Sequence, residues 1–199
     1  VDLACEISVV LARCSDGQQA VYPIGENRHV NGILDTTMVP ADIDTASRDV
    51  AVRMAGQLAD GMNYCGVLAV EFFITRQGEL LINEMATRPH NSGHFTVDAC
   101  VTSQFEQQLR TLCGLPPGDT RLLSPVVMLN LLGDLWQRGD PDWQAVFSEP
   151  SGRPSSDTVP FRDAASGRVT ELEQAAKIMP GIAIKKAFII YRLRSRMSI

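Results

Sequence analysis

Between Gly66 and His94 the sequence reads GVLAVEFFITRQGELLINEMATRPHNSGH. Two carboxylates interrupt its apolar runs, Glu71 in Val67–Thr75 and Glu84 in Leu80–Met85. A packed strand ordinarily carries no acid, so each of these invites a chemical explanation. If Gln77-Gly78 forms a two-residue turn, Arg76 faces Glu79, and counting back along both runs brings Glu71 opposite Glu84. Directly opposed residues on one face have Cβ atoms roughly 4.5–5.5 Å apart. Two carboxylates that close repel one another unless a cation sits between them. Magnesium takes oxygen ligands of this type and completes its shell with water and substrate phosphates. A three-residue turn would break the alignment, which leaves two solvated strand acids as the alternative.

The second run opens directly into Arg88-Pro89-His90-Asn91-Ser92-Gly93-His94. Arginine is suited to planar, bidentate recognition of small oxyanions. Two imidazoles, an amide and a hydroxyl stand beside it, and polar loops on rigid scaffolds are where function concentrates. An ordinary surface loop is the plain alternative. A zinc site at His90 and His94 is disfavoured, because the helical metalloprotease glutamate is missing and Pro89 and Gly93 oppose a helix.

The elements that must hold these groups are legible in outline. The two runs around a glycine-containing turn read as a β-hairpin. Glu6 to Arg13 alternates Ile7, Val9 and Leu11 with Glu6, Ser8 and Val10, the pattern of a half-buried strand, and Ser15-Asp16-Gly17 turns it back into Ala20–Tyr22. On the residues alone, His29 reads as a surface-loop histidine. Pro40 to Asp60 carries Val50, Met54 and Leu58 at helical spacing with Ala51 and Ala55 beside them; Asp42 or Asp44 could cap its start and Gly61 its end. Thr96–Ala99 leads into a second helix with a capping box at Ser103 and Glu106, and Phe105, Leu109 and Leu112 line one of its faces. Ser124–Leu132 reads as a buried strand, and Asp140–Trp143 opens a short helix. Ser151–Gly167 has a linker composition.

INEMATRPHNSGH, with LAVEFF before it, resembles the C-terminal part of the ATP-grasp domain of the 5-(carboxyamino)imidazole ribonucleotide synthase family, departing from the family's pattern at Thr87, where proline is usual. The resemblance extends from about Asp2 to Phe147 and includes the segments EISVVLAR and YPIGENRHVNGIL. It implies an α+β fold, the C-terminal half of an ATP-grasp domain: an antiparallel sheet with packed helices, lacking the N-terminal α/β domain and the ATP lid subdomain. It further implies a subdomain over 1–120, the start of a small β subdomain over 121–150, and a divergent linker and basic tail over 151–199. By the same resemblance, Glu6 and His29 contact nucleotide, Glu71 and Glu84 hold magnesium with Asn83 assisting, and Arg88, His90 and Asn91 bind bicarbonate or carboxyphosphate. The implied reaction is ATP-dependent carboxylation of aminoimidazole ribonucleotide by bicarbonate in cytoplasmic purine synthesis, with ATP and Mg²⁺ as cofactors. Full-length members are commonly homodimers. The family's basic substrate-phosphate motif has no counterpart beyond Pro150, and the glycine-rich lid would precede Glu6, so the isolated chain is expected to have little or no synthase activity. Another ATP-grasp carboxylase or ligase, or a non-catalytic interaction module derived from one, are the alternatives.

Composition agrees with this reading. The 199 residues are 45% hydrophobic and 21% charged, typical of a globular protein. No apolar stretch approaches the length of about 18 residues that suggests a membrane span. Val1–Val10 lacks a signal peptide's basic leader and reads as the middle of a strand, which points to a fragment. Net charge is −5, with six basic and no acidic residues from Lys177 onward and a balance of −11 in the remainder. That acidic body argues against a nucleic-acid partner. Ile182–Ile199 mixes aliphatic and basic residues, as in an amphipathic segment, a docking helix or sequence foreign to the enzyme, the last being favoured. The five cysteines show no paired spacing and read as reduced, mostly buried thiols, with Cys100 or Cys113 a nucleophile only if a base lay close.

Overall fold

The computed structural model describes residues 2–132, 160–162, 169–171 and 186–192. They divide between two compact units, one of Val1–Val127 with Arg192–Ile199, the other of Met128–Tyr191. The first unit carries the residues of interest.

Its sheet is built from β1 (Leu3–Arg13), β2 (Gln19–Val21), β3 (Gly25–Val30), β4 (Ile33–Val39), β5 (Gly66–Thr75) and β6 (Leu80–Ala86). The spatial order is β4-β3-β1-β5-β6, with β2 also on β1, and these pairs are antiparallel. Strand β1 lies between β3 and β5, and Ile7 to Arg13 are buried on both faces; the half-buried strand expected from alternation is therefore a central one. One face is apolar: Ile7, Val9 and Leu11 of β1 and Leu68, Val70, Phe72 and Ile74 of β5 pack with Ala51, Ala55 and Ala59 of helix α1 (Thr45–Gly61). Helix α1 starts at its Asp44 cap, whose carboxylate accepts from Ser47 N, five residues later than expected. Small alanines make the contact and let helix and sheet approach closely, while Val50, Met54 and Leu58 are only half-buried.

The other face is mixed, with buried Val10, Ala12, Val67 and Ala69 beside Ser8 and Glu71; a short 3₁₀ turn (Asn91–Gly93) and α3 (Gln104–Leu112) pack on it, and α2 (Thr96–Ala99) packs on α3. Helix α3 has the capping bond from Glu106 N to Ser103 Oγ, but its packing is inverted relative to its sequence pattern. Gln104, Gln107 and Thr111 are buried, whereas Phe105, Leu109 and Leu112 are exposed, Leu109 by 64%. The amides take backbone partners in place of water: buried Gln107 exchanges two 2.8 Å bonds with Gly118, and half-buried Gln108 accepts from Val67 N at 2.7 Å.

The first unit also holds the first residues of β7 (Val126–Leu132), within the strand expected over Ser124–Leu132. In the second unit β8 (Pro160–Arg162) pairs antiparallel with β9 (Val169–Glu171). Pro160–Arg162 is thus a strand inside the expected linker, and β10 (Lys186–Arg192) is a strand rather than a docking helix. The helix expected at Asp140–Trp143, and the rest of the linker and basic tail, lie outside the described residues. Among the described residues no helix is long and apolar enough to cross a membrane. Of the cysteines, Cys14 and Cys100 are buried, Cys5 and Cys65 half-buried, and Cys113 exposed, so burial is less general than expected. Burial pushes the Cys100 thiol up to about 12, which removes it as a nucleophile.

Candidate functional site

Three antiparallel strands bring the site's acids to the face opposite α1. Ser8 of β1 is paired with Glu71 of β5, and Glu71 with Glu84 of β6. The opposition of Glu71 and Glu84 is the one expected, but it is reached by another route. Thr75 N donates to Glu79 O and Gly78 has φ of +81°, so Arg76-Gln77-Gly78 is a three-residue loop rather than a two-residue turn. Glycine tolerates that left-handed conformation at no steric cost. Pairing then runs Ile74–Leu80, Phe73–Leu81 and Phe72–Ile82, an alignment that would put Asn83 opposite Glu71. A bulge between Glu71 and Phe72 takes Asn83 out of the ladder and restores Glu84 to that place.

The two acids have different surroundings. Glu71 is 7% exposed, and its Oε1 is buried without a hydrogen-bond partner. Burial raises its carboxyl above the ordinary glutamate range; His29 opposes the shift, and Glu84 and Glu6 add to it. Glu84 is exposed, like Asn83 beside it. The His90 ring lies between them, with Nδ1 3.6 Å from Glu71 Oε1 and Nε2 3.9 Å from Glu84 Oε1. Nδ1 is also 3.0 Å from Ser92 Oγ. Burial holds His90 below the usual imidazole value, and the Arg88 guanidinium lowers it further against the pull of Glu84.

His29 is not a loop residue: it sits on β3, in a hairpin with β4 closed by Asn31-Gly32, both at positive φ. That Asn-Gly pair is the favoured two-residue hairpin turn and was legible in the sequence. His29 Nδ1 is 2.5 Å from Glu6 Oε2, a close polar contact off the line of a hydrogen bond. Behind this pair, Asn27 donates to Ser8 Oγ and accepts from Thr37 Oγ1 at 3.0 Å, a buried chain across β1, β3 and β4 that the sequence did not signal.

Arg88 is exposed, and its Nη1 donates to Pro89 O at 3.1 Å. Asn91 opens the 3₁₀ turn, and its carbonyl lies 2.9 Å from His94 Nδ1. His94 packs edge-on against Phe105 at 5.4 Å between ring centroids. The structure thus gathers Glu6, His29, Glu71, Glu84 and His90 closely and leaves Arg88 at the rim. Gln104, which bonds the His90 peptide, is a residue that no sequence pattern marked.

For a divalent cation, the donor set fits. Two opposed carboxylates supply hard oxygens, and Glu71 Oε1 is a buried acceptor in want of a partner. Among the described residues no group of three or more His, Cys, Asp or Glu is arranged to hold a metal alone. A magnesium ion here would therefore draw the remainder of its shell from water and phosphate oxygens.

Residues 1–105 match the family model for the ATP-grasp domain. The chain is 51% identical over 134 residues to N5-carboxyaminoimidazole ribonucleotide synthase of Bacillus subtilis (strain 168), covering 67% of this chain and 35% of that protein. It is also similar to the crystal structure of N5-carboxyaminoimidazole ribonucleotide synthetase from Thermus thermophilus, with a TM-score of 0.72 and 33% identity over 97% of this chain and 47% of that one. A synthetase of that name in its ADP complex superposes with a TM-score of 0.65 at 51% identity, over 67% of this chain and 35% of that one. The family resemblance read from INEMATRPHNSGH is borne out. The chain spans about a third of the length of these curated relatives.

Proposed function

The chain belongs to the ATP-grasp family, and from that premise we propose that it is part of an ATP-dependent carbon–nitrogen ligase that carboxylates aminoimidazole ribonucleotide with bicarbonate. The observation that carries the reading is the opposition of Glu71 and Glu84 beneath His90, with Glu71 Oε1 buried and unpaired. The names of the relatives support the substrate, and the ADP complex of one of them supports the nucleotide.

Glu71 and Glu84 would hold Mg²⁺, with Asn83 assisting. A bulge is what lets Asn83 and Glu84, adjacent in sequence, serve one face of a strand whose neighbours otherwise alternate. Bound there, the ion supplies charge neutralisation to the phosphates. Glu6 and His29 face the nucleotide from β1 and β3. Arg88 attracts the acceptor anion at the rim, and His90 and Asn91 orient it by hydrogen bonds. His90, held largely neutral by burial, can both donate and accept there. Transfer of the γ-phosphoryl group to a bicarbonate oxygen releases ADP and gives carboxyphosphate. The ribonucleotide amine then takes the carboxyl carbon, phosphate leaves and the amine loses a proton. Such a transfer needs little covalent participation by the protein, only alignment and electrostatic stabilisation. We place this chemistry in the cytoplasm, in a homodimeric full-length enzyme.

The test is ADP release from Mg-ATP that requires both bicarbonate and aminoimidazole ribonucleotide, measured on the full gene product. Nucleotide hydrolysis unaffected by either co-substrate would overturn the reading. The 199-residue chain alone should turn over little, since it spans about a third of the relatives' length. Hydrolysis that responds to bicarbonate with a different amine would favour another ATP-grasp ligase. A chain that binds no Mg-nucleotide would favour an interaction module.

A further inference from the structure

The His90 peptide is gripped at both ends by one side chain. Gln104, 0% exposed, accepts from His90 N through Oε1 at 3.0 Å and donates through Nε2 to His90 O at 2.8 Å. The amide therefore reads the His90 backbone as a neighbouring strand would, with one donor and one acceptor in a fixed plane. Its own backbone is fixed in turn. Gln104 N donates to Thr96 Oγ1 at 2.9 Å, and Thr96 Oγ1 donates to Gly93 O at 2.7 Å. Thr96 is fully buried, as is Ser92 between the two histidines. Gly93 lies directly under the grip: a Cβ there would stand 2.5 Å from Gln104 Oε1. Helix α3 is anchored independently, by Gln107 on Gly118 and Gln108 on Val67 N. Gln104 thus transmits the position of a rigid helix to one residue of the loop, the residue whose ring stands between the two acids.

A buried glutamine spent on a loop peptide costs an apolar contact that a leucine would have made. The helix carries leucines on its exposed side instead, so the choice is not one of helix packing alone. We propose that Gln104 is a positioning residue that fixes the His90 loop for capture of the bicarbonate anion beside Glu71 and Glu84. This rests on the ligase reading given above, and extends it to a residue that touches neither nucleotide nor anion.

Two measurements test it separately. On the 199-residue chain, the His90 amide should exchange with solvent at least about tenfold faster in Gln104→Met than in wild type, while the Phe72 amide in the β1–β5 ladder is unchanged. On the full gene product, Gln104→Met should raise KM for bicarbonate about tenfold or more and leave KM for Mg-ATP within about twofold, because among the described residues the Gln104 side chain bonds the His90 backbone and none of Glu6, His29, Glu71 or Glu84. Gly93→Ala, which displaces the glutamine without altering it, should reproduce that split if Gln104→Met fails to fold. Equal losses toward both substrates, or a His90 amide as well protected in the variants as in wild type, would overturn the proposal. If the wild-type gene product shows no bicarbonate-dependent ADP release, the ligase reading falls by itself and the grip is judged on exchange.

Discussion

Replacing Glu71 by glutamine should make the protein more stable and its metal site useless. The side chain is 7% exposed and among the described residues one of its oxygens has no hydrogen-bond partner, so ionising it places a poorly compensated charge in a buried position. Leaving a buried acceptor unsatisfied costs about 1–3 kcal/mol, and more when it is charged. Glutamine keeps the shape and removes the charge, and by the same principle we expect it to recover about 1–2 kcal/mol. At this chain length that corresponds to a rise in Tm of about 2–8 °C. The pH dependence identifies the cause. A carboxyl raised in the folded state keeps its proton where the unfolded chain has lost it. Its contribution to stability is therefore present below the ordinary glutamate value and is lost as pH rises through the raised one. Glu71→Gln should match wild type near pH 4 and exceed it progressively toward pH 7, in calorimetric or circular-dichroism melts without divalent metal. Adding Mg²⁺ and ADP should raise the melting temperature of wild type, by the linkage of ligand to folding, and leave the variant where it was. A variant less stable than wild type at neutral pH, or a gain that does not vary with pH, would refute the claim that this carboxylate is held at a cost.

Other expectations follow from the same geometry. Glu6→Gln should weaken Mg-ADP binding about tenfold by titration calorimetry, a loss of about 1.4 kcal/mol, because it removes the charge facing His29. Arg88→Ala should abolish bicarbonate-dependent turnover in the full gene product while Mg-ADP binding persists, since the guanidinium stands at the rim and its hydrogen bond among the described residues is to Pro89 O. On α3 the usual ranking of substitutions should invert. Leu109→Ser, at a side chain 64% exposed, should change stability by no more than about 0.5 kcal/mol in denaturant titrations. Gln107→Ala should cost about 1–3 kcal/mol, because it strands both the amide and the carbonyl of Gly118.

The strands around the site were legible because their apolar runs and turn residues agree with one another. The alternation of Ile7, Val9 and Leu11 marks one face of β1, and the acids of β5 and β6 stand out against apolar neighbours. The route to their alignment was not legible. A loop one residue longer and a bulge at Asn83 offset each other, and neither leaves a mark in hydrophobic pattern. Helix α3 defeats pattern for another reason. Gln104 and Gln107 are buried and Gln108 half-buried because backbone groups of the His90 loop, Gly118 and Val67 take them as partners, and those groups lie 11 to 41 residues away in the chain. His29 reads as a loop residue only while Asn31-Gly32 is not taken as a hairpin turn. The buried glutamines, by contrast, turn on which long-range partner satisfies a polar group, and local periodicity does not encode that.

The gathering of acids on β1, β5 and β6 has a consequence for the order in which ligands can arrive. Glu6, Glu71 and Glu84 lie near one another, and the imidazole lodged between the last two is disfavoured as a cation, so bare polyphosphate approaching these acids meets repulsion. A nucleotide already chelated to a divalent ion does not. Magnesium should therefore act as the nucleotide's passport as much as the protein's ligand: free ATP in excess over metal should behave as a poor competitor, and a chelator should empty the site as quickly as the nucleotide complex dissociates.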